Sequence, residues 1–327
     1  MRFSNVAASL AAFGLLSLGM LGSGCGDDTT QPPPPPPSGA ACALTEKCVT
    51  ADPTCIALVD NAGQAEFGLR MSQILISKPA TLAPATFVGG VVGGGVALND
   101  TDCNLAGQGT FSWLLHFDTA TNTVCTGGAK PVTDPADGFT FVNEMIGGFQ
   151  ITPIKFTAPE LAQGTFEVEV GQDIVVPIYT AEPNSPPVLL PLKKARIIGA
   201  KLSSSNNCVG SYDAEALDPL NLCRPDPAQN QFTYKNAGKI EGYITLEQAD
   251  EVIVDLANKT LCAILTGTDD GATPIAKCVR DMNGKIDYQG DWCDATNAAA
   301  DAMCADSVAL GAEFAASAVK INGGCPL

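Results

Sequence analysis

Thirteen cysteines and a single histidine, His116, bound the chemistry open to this chain of 327 residues. A thiol can serve as a nucleophile, a metal ligand or half of a disulfide. No Cys-x-x-Cys pair occurs, and one imidazole cannot complete the common zinc spacings. Disulfides are therefore the expected use. Cys25 stands apart at the end of an apolar run. The others are Cys42, Cys48, Cys55, Cys103, Cys125, Cys208, Cys223, Cys262, Cys278, Cys293, Cys304 and Cys325, an even set that six bridges would consume. Such bridges persist outside the cytosol.

Oxygen ligands offer a second chemistry. In the stretch from Asp281 to Asp291, Asp281, Asn283, Asp287 and Asp291 alternate with other residues around Gly284, a pattern that suits Ca2+. The stretch resembles a dockerin calcium loop, but it lacks the central Asp-Gly, and Lys285 dilutes its charge. A solvated turn between Cys278 and Cys293 is the competing reading, and no other cofactor is implied. His116 lies beside Asp118 on a strand-like stretch, which suits a half-buried structural imidazole better than a triad member. There is no Gly-x-Ser-x-Gly elbow beyond the opening segment and no His-Glu-x-x-His. The glycines of residues 87–98 do not have phosphate-loop spacing. Glycosidases need only two carboxylates, so a carbohydrate-active hydrolase stays open as the alternative to a non-enzymatic domain. Trp113 and Trp292 are the aromatic faces that could stack on sugars, though Trp113 shares its strand face with Phe and Leu.

Charge narrows the partners. The chain carries 35 acids against 18 bases, a formal net charge of −17. Such a surface repels nucleic acid, so nucleic-acid partners are excluded. Charged residues make up 16% of the chain, well below the roughly 25% of average proteins.

The first residues say where the chain goes. Arg2, an apolar run from Val6 to Leu21 and the small residues Gly22, Ser23 and Gly24 form an export signal over residues 1–24. A membrane span needs roughly 20 apolar residues. This run is shorter and carries Gly14 and Gly19. The stretch from Gly22 to Cys25 resembles the lipobox of bacterial lipoproteins, with Gly22 at the position where that family has Leu. With the proline run and the even cysteine set, the chain is similar to envelope lipoproteins of myxobacterial type. That resemblance implies a lipid on Cys25, a membrane partner through the anchor and no particular activity. Gly26 rather than Asp beside the cysteine points to the outer membrane. Residues 25–41 then read as a spacer. Its six prolines, Pro32 to Pro37, at about 3.1 Å each would extend roughly 19 Å.

The remaining elements are expected to be short strands. Residues 42–65 read as a cysteine-rich leader and residues 66–327 as a β-rich domain, with a possible break near 206–232. The clearest strand is Thr110 to Asp118. There Phe111, Trp113, Leu115 and Phe117 share one face, and Ser112, Leu114, His116 and Asp118 the other. Residues 69–78, 138–145, 166–170, 173–180, 188–202, 240–244 and 308–321 follow as strands, the glycines of 87–98 as bulges in a sheet. Thr245 to Gln248 has capping-box spacing for a short helix, and Ala295 to Ala305 reads as a second one. A helix there would hold Cys293 and Cys304 roughly 16 Å apart, beyond disulfide reach. Both would then bond towards Cys262, Cys278 or Cys325, and Cys208 and Cys223 would be local partners. The fold class expected is mainly β: a disulfide-rich antiparallel sandwich or jelly roll with a few short helices in the C-terminal third.

Overall fold

Alternating apolar residues carry the chain into strands, and the computed structural model describes residues 54–100, 105–169, 173–180, 186–218, 224–225 and 232–326. All of them belong to one compact unit, Ala40–Leu327. One antiparallel sheet has twelve strands. They are β1 (Glu66–Lys78), β2 (Ser112–Asp118), β3 (Thr123–Ala129) and β4 (Ile154–Thr157). Next come β5 (Thr165–Glu169), β6 (Ile174–Ile178), β7 (Val188–Lys201) and β8 (Cys208–Val209). β9 (Gly238–Thr245), β10 (Trp292–Cys293), β11 (Ala298–Ala299) and β12 (Ser307–Ala318) complete it. The main order is β6-β7-β9-β12-β1-β2-β3-β4, with β5 beside β7, β8 beside β12 and the β10–β11 hairpin attached to β12.

The sheet curls until its two ends meet. Pro177, in edge strand β6, rests on Gly128 of β3, where a Cβ would stand 2.5 Å from the proline ring. Only glycine leaves room for that approach. Within the curl Phe111, Trp113, Leu115 and Phe117 join one core cluster, as their shared strand face requires. Phe117 stacks on Phe67 at 4.9 Å and meets Phe166 edge-on at 5.1 Å. On the opposite face, Leu114 packs with Phe139, Phe141 and Val319. At the centre β1 pairs with β12, Leu69 opposite Ala318 and Phe314 opposite Ile74.

Three α-helices among the described residues accompany the sheet: α1 (Phe87–Val96), α2 (Leu246–Glu251) and α3 (Leu261–Thr266). α2 begins after Thr245, where the capping-box spacing placed it. α1 corrects the expectation of glycine bulges. Val88, Val91, Val92 and Val96 recur at helical spacing, and Thr86 caps the helix by accepting from the Gly89 N–H at 3.1 Å. Helices are thus not confined to the C-terminal third.

The disulfides overturn two further expectations. Cys293 bonds Cys304 with Cα atoms 5.3 Å apart. The segment between them is a tight hairpin, not a helix. The Asp301 carboxylate accepts from the Met303 and Cys304 N–H groups, a local turn that outcompetes alanine's helix propensity. Cys208 bonds Cys55, 153 residues away, and not Cys223. Cys125–Cys325 and Cys262–Cys278 are the other bridges among the described residues. Cys55, Ile56 and Ala57 are wholly buried, so residues expected in a leader pack into the main unit. The stretch expected to divide the chain instead supplies β8 to the central sheet.

Candidate functional site

The curl does not fill completely. At the seam between its two largest core clusters lies a cavity of about 120 Å³. Met71, Trp113, Val176 and Ile197 reach it from one cluster; Leu192, Val254, Leu261 and Leu310 reach it from the other. Apart from Thr126, Thr180 and Arg196, every wall residue is apolar. Thr126 is spent, accepting from the Trp113 indole at 2.7 Å and donating to the Leu114 carbonyl at 3.0 Å. Arg196 turns its guanidinium to Glu241, 2.6 Å away. No carboxylate, imidazole or thiol among the described residues lines the space. Its chemistry is that of hydrocarbon.

Helix α1 closes one side with Phe87, Val88, Val91 and Val92. Five of its ten residues are glycine, each costing about 1 kcal/mol of helix stability relative to alanine. One of them is needed where it stands: a Cβ on Gly89 would collide with the Ala83 carbonyl. Gly90 and Gly93 face no such neighbour. The C-terminal end of the helix is held firmly. Arg70, fully buried, donates to the Val96 carbonyl at 2.7 Å and to the Met71 and Phe111 carbonyls and the Ser112 hydroxyl. Its guanidinium also lies over the Phe139 ring. Burial lowers its pKa to about 10, so it remains a cation at neutral pH and meets the negative end of the helix dipole. The N-terminal end is more exposed. Phe87 is 66% exposed and Leu256, across the mouth, 57%.

The residues singled out in the sequence take other places. Asp281 closes its own turn, accepting from the Asn283 and Lys285 N–H groups at 2.8 and 2.9 Å. Asp291 accepts from the Ala309 N–H at 2.7 Å. Asp281, Asp287 and Asp291 do not converge into a three-ligand group. The two groups of cysteine and aspartate that do converge, at Cys262–Cys278 and Cys293–Cys304, have their sulfurs in disulfides. What organises that region is Asp250. It accepts from Thr260, from the Cys278 N–H and, at 2.7 Å, from Arg280, which also forks onto Glu247. His116 is half-buried, and burial lowers its pKa. Asp118 turns away to Thr121 and the backbone of the following turn. Cys25, Cys42, Cys48, Cys103, Cys223 and the proline run lie outside the described residues. The cavity itself was missed in the sequence; the valine spacing of residues 88–96 was the signal that could have shown α1.

Compared with known proteins, the chain matches no family model, no curated protein and no solved structure. No helix among the described residues is long and apolar enough to cross a membrane. The four disulfides among the described residues suggest an extracytoplasmic protein.

Proposed function

We propose that this chain is an exported protein of the cell envelope, anchored through a lipid on Cys25, the simplest use of a cysteine behind an export signal. Its folded unit is a non-enzymatic binding domain for the hydrocarbon part of an amphiphile. The cavity carries this reading: an apolar wall without acid, base or nucleophile can hold a chain but offers a reaction nothing to use. At about 120 Å³ it resembles the roughly 150 Å³ space that takes a benzene ring, so a longer hydrocarbon requires α1 to move. Helix α1, weak in its middle and exposed at Phe87, is suited to that movement.

The test is intact mass and solvent extraction of the protein recovered from its native envelope. The expected result is a chain starting at acylated Cys25, closed to alkylation until reduced, that releases an amphiphile into organic solvent. An unmodified Cys25 removes the anchor. An empty extract, together with no uptake of a fluorescent fatty acid, removes the ligand.

A further inference from the structure

The outward face of the same sheet carries a groove of different chemistry, about 420 Å³ in volume. Arg196, Glu241, Gly311 and Lys78 are successive cross-strand partners on β7, β9, β12 and β1, and so form one row across four strands. Gly311 makes the low point of that row. Lys239 and Glu313 face each other in a neighbouring row. Lys194 is presented by left-handed backbone, φ 48°, at the irregularity between Lys193 and Arg196. Four cations thus meet two carboxylates in a chain of net charge −17. Arg196 is paired with Glu241. Lys78, Lys194 and Lys239 have no ion-pair partner among the described residues.

Trp292 supplies a second, independent feature. It lines the groove, half-buried, with its ring 6.0 Å from that of Tyr243, whose hydroxyl donates to Asp294 at 2.8 Å. A flat aromatic ring beside three ammonium groups without ion-pair partners matches a pyranose bearing a carboxylate: the C–H face of the sugar covers the indole, and the carboxylates meet the lysines. A bare phosphate has no use for the ring.

We infer that this groove binds an acidic polysaccharide through its uronate units. The inference does not depend on what the cavity holds. The test uses the whole chain, titrated with tetragalacturonate and with a neutral malto-oligosaccharide of equal length, followed by calorimetry and tryptophan fluorescence. Tetragalacturonate is expected to bind, more weakly as salt rises, and the neutral sugar is not. Lys194→Gln with Lys239→Gln should weaken binding at least tenfold, with the thermal unfolding midpoint little changed because both side chains are exposed. Trp292→Ala, which removes the stacking face, should weaken it several-fold. Equal binding of the neutral sugar, indifference to the lysine pair, no binding at low salt, or release of shortened sugars would each overturn the inference.

Discussion

Asp250 holds three donors with two oxygens while its side chain is 4% exposed. Burial alone would raise its pKa, but the Cys278 N–H, Arg280 and Thr260 outweigh that and hold it below the usual carboxylate range. A carboxyl shifted down on folding contributes stability above its unfolded value of about 3.9. That contribution is lost as pH falls through the lower, folded value. Asp250→Asn should therefore cost about 2–3 kcal/mol near neutral pH, measured by denaturant unfolding with the disulfides intact. The gap between variant and parent should begin to narrow below about pH 4 and close only as pH falls through the lower, folded value; a constant gap would show that Asp250 acts by shape alone. None of this was legible in the sequence, because Thr260, Cys278 and Arg280 meet Asp250 only through tertiary packing. By contrast, the burial of Trp113 was legible, since a period of two places it beside Phe111 and Leu115 whatever the sheet does.

Helix α1 is where element and function meet. Its glycines are of two kinds. Gly89 is required by the close approach of Ala83, whereas Gly90 and Gly93 have room for a methyl group. Gly90→Ala with Gly93→Ala should raise stability by roughly 2 kcal/mol, read as an increased unfolding midpoint. If α1 yields to admit hydrocarbon, the same variant should take up a fluorescent fatty acid several-fold more slowly. Unchanged uptake would mean that ligands reach the cavity without the helix moving. The helix was misread because glycine dominates local propensity, while Thr86 and the valine spacing point the other way. At Ala295 to Ala305 the error ran in reverse: alanine suggested helix, and a disulfide with an aspartate turn decided for a hairpin. Strands with clear alternation, such as β2 and β12, were legible because burial on one face imposes the pattern.

At the scale of the molecule, two bridges span most of the chain: Cys55–Cys208 with a separation of 153 residues and Cys125–Cys325 with 200. Loop-closure entropy gives such long bridges about 4–5 kcal/mol each. Replacing Cys125 and Cys325 together by serine should therefore lower the unfolding free energy by about 3–5 kcal/mol, against a smaller loss for the Cys293–Cys304 pair with its separation of 11. Comparable losses would show that native contacts, not chain topology, set the effect. The fold class was legible from composition and alternation; the pairing of cysteines was not, since spacing carries no information about which strands become neighbours. The junction of β1 with β12 joins residues near 70 to residues near 317. A chain made from its N-terminus must wait for its last strand before its central seam can close. Until then Cys55 and Cys125 are exposed to whichever thiol arrives first, and Cys125 emerges well before its partner. Oxidation in order of arrival would give wrong pairs, so the native bridges depend on reshuffling that continues until the last strand has sealed the sheet.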